Sequence, residues 1–427
     1  MKVSRAVLII IFMTSLINFA QEKLNRDLCR ELALNYNQDV KSAKLQTRSI
    51  ESTKNAFGKD YYPKLGLSAN YEFIGNPVII ENIFATIKNR YNVNATLLQE
   101  LYTGGRISSQ YALNESYENI ARENENLTSA NLLLEIDNTY WKTVADNENE
   151  RLATLYLKTI SDLFKVIKNK VDAELISKND LLITEVRLND AKLSVLESEN
   201  RLRISKMELN RLIGYEVTKS INVDDEISIE LYENDFENIV ERAISQRPEL
   251  LMQLQNIEAN KHSEDLTASE YLPKWSLGAN ALWGVPSPDL TNDPAFNYSV
   301  FSTVSVPLFL WNKSSLDVQA QTLLTDSQKE QLEKLKEIVT LEVQSTKYSY
   351  DEAIKRVELT GTSLKKAMEN LEIMTTRYNE GLSPILEVLD AQVFWDKAYA
   401  DHIEAKRLYQ VSYSALLKSI GELYVVK

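Results

Sequence analysis

The chain has 427 residues, 44% of them hydrophobic and 26% charged, with 48 Lys+Arg against 61 Asp+Glu and a formal net charge of −13. That balance excludes nucleic acid as a partner, because neutralising phosphates takes grouped Lys and Arg. A single cysteine, Cys29, excludes a disulfide framework, and two histidines, His262 and His402, leave no legible metal site.

The first twenty residues, 1–20, read as a secretory signal peptide. Lys2 and Arg5 form a positive start, Ala6 to Leu16 an apolar stretch, and Asn18-Phe19-Ala20 a cleavage region ahead of Gln21. Asn18 is larger than the small residue preferred at its position. A membrane anchor is the alternative, but the apolar run is shorter than the ~20 residues a spanning helix needs. No other stretch is apolar and long enough to span as a helix. Cys29 lies too far past the apolar segment to carry a lipid and is expected as a small buried hydrophobe.

Beyond that segment the chain repeats itself. Glu31-Leu32-Ala33-Leu34 returns as Glu241-Arg242-Ala243-Ile244, and Tyr62-Pro63-Lys64-Leu65 as Leu272-Pro273-Lys274-Trp275, at an offset of 210. Leu67-Ser68-Ala69-Asn70 returns as Leu277-Gly278-Ala279-Asn280 at the same offset. From Glu100-Leu101-Tyr102 with Pro307-Leu308-Phe309 to Leu212-Ile213-Gly214 with Ser419-Ile420-Gly421 the offset is 207. The organisation expected is a first copy at 21–214, a polar linker at 215–234 and a second copy at 235–427. Each copy reads helix, strand, loop, strand, long helix, helix.

The strands alternate with period two. Leu65, Leu67, Ala69, Tyr71 and Phe73 alternate with Gly66, Ser68, Asn70 and Glu72, and Tyr91, Val93, Ala95 and Leu97 with Asn92, Asn94 and Thr96. Trp275, Leu277, Ala279, Ala281 and Trp283 repeat the pattern, as do Tyr298, Val300, Val304 and Val306. Each run has one apolar and one polar face. Alternation by itself favours a half-buried sheet in a soluble domain. The signal peptide reverses that preference, and each run has the ~10 residues of a tilted transmembrane strand, with Trp and Tyr near its ends. Four strands cannot close a membrane barrel, since bacterial barrels start at about eight. An open edge in lipid leaves backbone groups unpaired. Several chains must then share one barrel, and a trimer gives twelve strands. The turns at Gly75–Lys88 and Gly284–Phe296, which carry Pro, Asn or Asp, are the expected extracellular loops.

The rest is long helix. Neither Gly nor Pro occurs between Gly105 and Gly214, or between Pro307 and Gly361. Arg106 to about Lys170 predicts one helix of ~97 Å, with a buried stripe at Leu152, Tyr156, Ile160, Leu163, Ile167 and Val171. A turn near Asp172–Ser177 leads to a returning helix. Along it Leu181, Leu188, Val195, Leu202 and Leu209 form one heptad, with Thr184, Ala191, Ser198 and Ser205 beside it. Ala391, Ala398, Ala405, Ser412 and Ser419 keep the small heptad in the other copy. Sustained heptads mean coiled-coil packing, and small residues let helices approach closely. Seams on both sides suit a closed helical cylinder; a free-standing two-helix coiled coil is the alternative. His402, in register with Val195, is expected to pack or hydrogen-bond between helices, and Pro384 suits the first position of a helix.

With these elements in order, the chain resembles the TolC family of outer-membrane efflux proteins over about Leu28 to Gly421. The likeness rests on the duplicated helix–Tyr-Pro–strand passage and on Gln99-Glu100-Leu101-Tyr102-Thr103-Gly104-Gly105-Arg106. It rests also on Gly381-Leu382-Ser383 followed by Leu386-Glu387-Val388-Leu389-Asp390-Ala391. The resemblance implies a fold that is mainly α with membrane β. That fold is a trimeric twelve-stranded β-barrel, four strands per chain, continuous with a long periplasmic α-helical barrel. It implies a conduit in the outer membrane of a Gram-negative bacterium, extending into the periplasm. Drugs, metal ions, toxins or proteins would pass through it from an inner-membrane pump, joined by a periplasmic adaptor (a membrane fusion protein). Its partners would be two further copies of the chain, the adaptor, the pump and outer-membrane lipid.

In that family the hairpin tips form the periplasmic entrance, and an acidic ring narrows it. The matching residues are Glu387 and Asp390. Taken alone, the same acids are solvated carboxylates in a first helical turn, where the dipole favours them; a ring of them would attract cations. A family latch between neighbouring hairpins maps to Tyr378 and Asp180, with Ser383 in place of the arginine that usually joins them. Asp180 also fits a capping box begun by Ser177. Adaptor docking maps to the tips at Glu174 and Leu175 and at Gly381, Leu382 and Ser383, where Glu174 replaces a usual glycine. No cofactor is implied. The alternative function is an envelope coiled-coil scaffold without pore activity. For an enzyme the sequence offers no nucleophile motif, metal-ligand spacing or phosphate loop.

Overall fold

The computed structural model describes residues 23–75, 88–229, 237–285 and 293–423. The expected signal peptide, the middles of both expected extracellular loops and the end of the linker lie outside the described residues. The elements in chain order are α1 (Arg26–Tyr36), α2 (Gln38–Phe57), β1 (Lys64–Phe73), β2 (Asn89–Tyr102), α3 (Arg106–Asp172) and α4 (Lys178–Ile213). They continue as α5 (Ile239–Gln246), α6 (Pro248–Ser269), β3 (Lys274–Val285), β4 (Ala295–Ser305), α7 (Lys313–Asn379) and α8 (Ile385–Ser419). The expected long helix is α3, which runs 67 residues without a break, as does α7. The chain forms two compact units, and each draws on both halves of the sequence.

One unit holds the strands, with α2, α5, α6, residues 106–134 of α3, 313–351 of α7 and the end of α8. Its sheet is antiparallel in the order β1-β2-β3-β4, so β1 and β4 each leave one edge without a strand among the described residues. Leu65 pairs with Leu97, Tyr71 with Tyr91, Ala95 with Ala281 and Ala281 with Tyr298, which sets apolar rows on one face. Leu65, Leu67, Tyr71 and Phe73 on β1 and Tyr298, Val300 and Val304 on β4 are all exposed. The other face carries amides and hydroxyls joined to one another: Asn70 Nδ2 donates to Asn92 Oδ1 (3.2 Å), Asn94 Nδ2 to Thr96 Oγ1 (3.2 Å) and Thr96 Oγ1 to Asn280 Oδ1 (2.7 Å).

Helices α2 and α6 begin alike by different means. Asn37 caps α2, its side chain accepting from the N–H groups of Asp39 (2.8 Å) and Val40 (3.2 Å). In α6 Pro248 occupies the first turn, where a missing N–H costs nothing. Arg247 just before it is buried and bound to Glu342 (2.6 Å) and Glu249 (2.8 Å).

The other unit holds α1, residues 135–172 of α3, α4, the described linker, 352–379 of α7 and 385–411 of α8. The small heptad is its inner seam: Thr184, Ala191, Ser198 and Ser205 are fully buried, while Leu181, Leu188, Val195 and Leu202 are only half-buried. From Leu181 to Leu202 the leucine heptad therefore flanks the contact, and only its last member, Leu209, is fully buried. Backbones approach closely where side chains are small, and the larger residues fill the sides.

Several buried charges in this unit are paired. Arg30 grips Asp137, Tyr140 Oη donates to Asp224 (2.5 Å), and Lys406 Nζ donates to both oxygens of Glu148 (2.8 and 3.1 Å). Gly214 ends α4 at φ 82°, and a Cβ there would lie 2.2 Å from the Tyr36 ring. Cys29 is fully buried, as expected, and burial pushes its thiol up to about 12. His402 Nδ1 lies 3.1 Å from Thr360 Oγ1, the expected contact between helices, and burial with Lys406 nearby lowers its pKa.

The seam makes a prediction. Ala191→Leu forces extra methylenes into a filled contact and is expected to cost about 1–3 kcal/mol. Leu188→Met, half-buried beside it, is expected to cost under about 1.5 kcal/mol, as volume-conserving apolar swaps do. Thermal loss of helical circular dichroism in detergent compares the two; equal midpoints would show that the small heptad does not set the packing.

Candidate functional site

The site lies where each pair of long helices turns. Helix α3 ends in a left-handed residue, Glu174 (φ 57°); its N–H donates to Val171 O (2.9 Å), and the next N–H, of Leu175, reaches back to Lys170 O (2.9 Å). Helix α7 ends the same way. Gly381 (φ 75°) donates to Tyr378 O (3.0 Å), and Leu382 donates to Arg377 O (2.8 Å). Both are Schellman ends, which satisfy carbonyls left over at a helix terminus. Glu174 thus keeps the turn that glycine makes easily, at the cost a Cβ brings in that region.

The helices that follow start differently. Ser177 caps α4, its Oγ accepting from Asn179 N (3.1 Å), while the Asp180 N–H donates to Ser177 O (3.1 Å). At the matching place Glu387 N donates to Pro384 O (3.2 Å). Pro384 therefore holds the cap position of α8, one residue ahead of the first helical position expected for it. It offers no side-chain acceptor there. Ser383 Oγ is buried without a hydrogen-bond partner.

Beneath the turns lies one apolar cluster. Ile385, Val388 and Leu389, spaced i, i+3, i+4 on the first turns of α8, are buried against Tyr156, Ile160 and Ile167 of α3 and Ala191 of α4. Leu181, Ile183, Val171, Ile176 and Tyr378 pack around them. Because that face of α8 is buried, Glu387 and Asp390 point away from it and are exposed. Glu387 has no ion-pair partner among the described residues. Asp390 has one that the sequence does not disclose: Arg187 of α4, 4.0 Å from its Oδ1. Further along α8, burial holds Asp396 above the ordinary carboxylate range.

The expected latch residues do not meet within one chain. Lys170 Nζ donates to Tyr378 Oη (3.5 Å) and sits 4.5 Å from the centre of its ring. Asp180 is half-buried, and its carboxylate has no partner among the described residues. Leu175 and Leu382 stand exposed at the tips. Arg187 and Lys170 are the two residues a reading of the sequence misses, because each meets its partner from a distant helix. No motif spacing signals such a pair.

The sequence profile of the outer membrane efflux protein family matches residues 29–215 and 239–422. The chain belongs to the outer membrane efflux protein family. No curated protein sequence matches it. Among solved structures it is similar to a membrane protein from Pseudomonas aeruginosa, at 16% identity and a TM-score of 0.81, over 93% of this chain and 91% of that one. It is similar also to the MtrE outer membrane channel of Neisseria gonorrhoeae, at 16% identity and a TM-score of 0.79, over 93% and 88% of the two chains. The CmeC outer membrane channel of Campylobacter jejuni gives 16% identity and a TM-score of 0.78, over 93% and 85%. The fold class is that of the outer membrane efflux proteins, mainly α with membrane β. It contributes four strands per chain to a trimeric twelve-stranded β-barrel, and long helices to an α-helical barrel. Outer membrane efflux proteins are passive channels of the outer membrane, and this one is not an enzyme.

The two hairpin turns differ in one strained residue. Glu174→Gly removes the left-handed strain and is expected to stabilise the protein by about 1 kcal/mol. The matching Gly381→Glu should destabilise it by about as much. Urea midpoints in detergent check both; a loss of stability on Glu174→Gly would mean that the glutamate itself holds the turn.

Proposed function

We propose that this outer membrane efflux protein is the exit duct of a tripartite export system. As a homotrimer it would receive cargo from an inner-membrane pump through a periplasmic adaptor and release it outside a Gram-negative cell. The observation that carries the reading is the paired tip. Two turns of the same backbone geometry, each ending in an exposed leucine, stand beside two exposed acids on the first turns of α8.

In this reading Glu174, Leu175, Gly381, Leu382 and Ser383 form the surfaces on which the adaptor docks. Glu387 and Asp390, repeated around the trimer axis, form an acidic ring that concentrates cations at the entrance. Arg187 partly offsets Asp390, so Glu387 carries the larger share of the field. Tyr378 of one subunit reaches Asp180 of the next to hold the entrance shut. Lys170, already seated on Tyr378, supplies the cation that Ser383 does not. The exposed apolar rows of β1 and β4 weigh against the scaffold alternative, which has no use for them.

Planar bilayers with a potassium chloride gradient test the entrance. The native chain is expected to give a cation-selective current. Glu387→Gln with Asp390→Asn should move the reversal potential toward zero, and Arg187→Ala should move it away from zero. Identical reversal potentials in all three would remove these acids from the pore.

A second series separates the latch from docking. Asp180→Ala and Lys170→Ala should each raise the mean current by weakening closure. Leu175→Ser with Leu382→Ser, which adds no charge, should leave the current unchanged while abolishing export in cells. Unaltered export would mean that the adaptor docks elsewhere.

A further inference from the structure

The crossing from strand to helix is made twice, and the two crossings differ in one unexpected way. After β2, Gly104 and Gly105 are both left-handed, at φ 65° and 89°. After β4, Trp311 and Asn312 take the same conformations, at φ 50° and 65°. The surrounding bonds also correspond. Arg106 N donates to Thr103 O (3.2 Å) and Lys313 N to Leu310 O (2.9 Å); Ser109 N donates to Gly105 O (2.9 Å) and Leu316 N to Asn312 O (3.3 Å).

In the first copy glycine is required, because a Cβ at Gly104 would stand 2.6 Å from Leu272 Cβ. In the second a tryptophan occupies the matching place. A bulky residue at positive φ is a genuine outlier, and glycine or asparagine would make the same turn with less strain. The turn does not need the indole. Strain retained at one residue points to a role outside the local fold.

The indole is 84% exposed and stacks edge-on against Phe309 at 4.6 Å between ring centres; Phe309 is 69% exposed and Leu308 90%. Leu308, Phe309, Leu310 and Trp311 make an unbroken apolar run on the surface, which water accommodates poorly. On one side the run continues the outward apolar row of β4 through Val304 and Val306, both exposed. On the other side charge begins at once: the Lys313 ammonium is bound by Asp317 and lies 3.1 Å from Tyr271 Oη. An apolar row, then an amphipathic indole, then charge is the sequence of environments met on leaving a hydrocarbon layer through its headgroups.

We propose that Leu308–Trp311 is an interfacial anchor, seated at the boundary of acyl chains and lipid headgroups on the helix side of the barrel. Only the second copy supplies its tryptophan; the first has exposed Leu101 and Tyr102 at the places of Leu308 and Phe309, and Gly104 at the place of Trp311. The proposal rests on the channel reading above and adds a specific lipid contact to it. It places an indole at the crossing after β4 and none at the glycine crossing after β2.

The test is tryptophan quenching in the full chain reconstituted into phosphatidylcholine vesicles brominated either near the headgroup or deep in the acyl chain. Trp275→Phe with Trp283→Phe removes the two strand tryptophans and leaves Trp311 with Trp141, which is buried, and Trp395, which is half-buried on α8. Emission of this double variant is expected to be quenched more by shallow than by deep bromine. Adding Trp311→Phe should abolish that quenching. If bromine quenches the native chain but not the double variant, the protein is in the bilayer and Trp311 rests against a neighbouring copy, which overturns the anchor alone. If the native chain is not quenched at all, the channel reading fails and the anchor falls with it.

Discussion

Within hydrocarbon every backbone N–H and C=O must find a partner inside the protein, because no water is there to take its place. The four-stranded sheet of this chain meets that demand along three strand pairings and leaves it unmet along the free edges of β1 and β4. Its side chains make the opposite choice to a soluble sheet: the apolar rows face out, and the amide and hydroxyl ladder of Asn70, Asn92, Asn94, Thr96 and Asn280 lies on the other face. The apolar face is not at rest in water, and neither the polar face nor the open edges are at rest in lipid. Closure with further copies resolves all of it, placing the apolar rows in lipid, the polar ladder in the lumen and edge against edge. The oligomer is therefore a consequence of backbone hydrogen bonding before it is a question of any particular contact.

Duplication supplies that sheet cheaply, since two copies of one hairpin give the four strands. It also shows which features the backbone fixes and which the side chains are free to vary. The same helix start is made by Asn37 or by Pro248, and the same hairpin turn by Glu174 or by Gly381. In each case the conserved quantity is a set of main-chain bonds, and more than one residue type can complete it. Ser177 and Pro384 show the limit of this freedom. Both cap positions close with the same main-chain bond, but only the serine also satisfies a free N–H with its side chain.

Much of this was legible in the sequence, and the reason lies in periodicity. Strands announce themselves by alternation, so β1 to β4 fall on the residues that alternate. The long helices follow from the empty intervals between Gly105 and Gly214 and between Pro307 and Gly361. Depth within a seam was less legible. Leu188 and Thr184 lie on adjoining heptads, and hydropathy favours the leucine as the buried one, but the closeness of the backbones buries the threonine. The turn at Gly381 shows in its glycine, whereas its twin at Glu174 shows only in main-chain bonds. The ion pair of Arg187 with Asp390 and the seating of Lys170 on Tyr378 had no sequence signal, because the partners come from different hairpins and no spacing links them.

Those two contacts also show how the copies diverged where electrostatics matters. By the repeat offset of 207, Asp390 corresponds to Ile183 and Tyr378 to Val171, both of which pack into the apolar cluster. Arg187 corresponds to Phe394. At these places the second hairpin carries an acid and a phenol where the first carries apolar residues, and the first carries Arg187 where the second carries Phe394; Lys170 has a cation, Arg377, at its own counterpart. Two hairpins identical in charge would repel or ignore one another at a tip where they pack side by side. With Arg187 on one and Asp390 on the other, these two are paired, and Glu387 remains the one tip acid on α8 with no ion-pair partner among the described residues. An exposed pair such as Arg187 with Asp390 adds little to stability on its own. In the proposed entrance its effect would lie in the field at the tip, where it would set how much of the negative charge of α8 is left for an approaching ion.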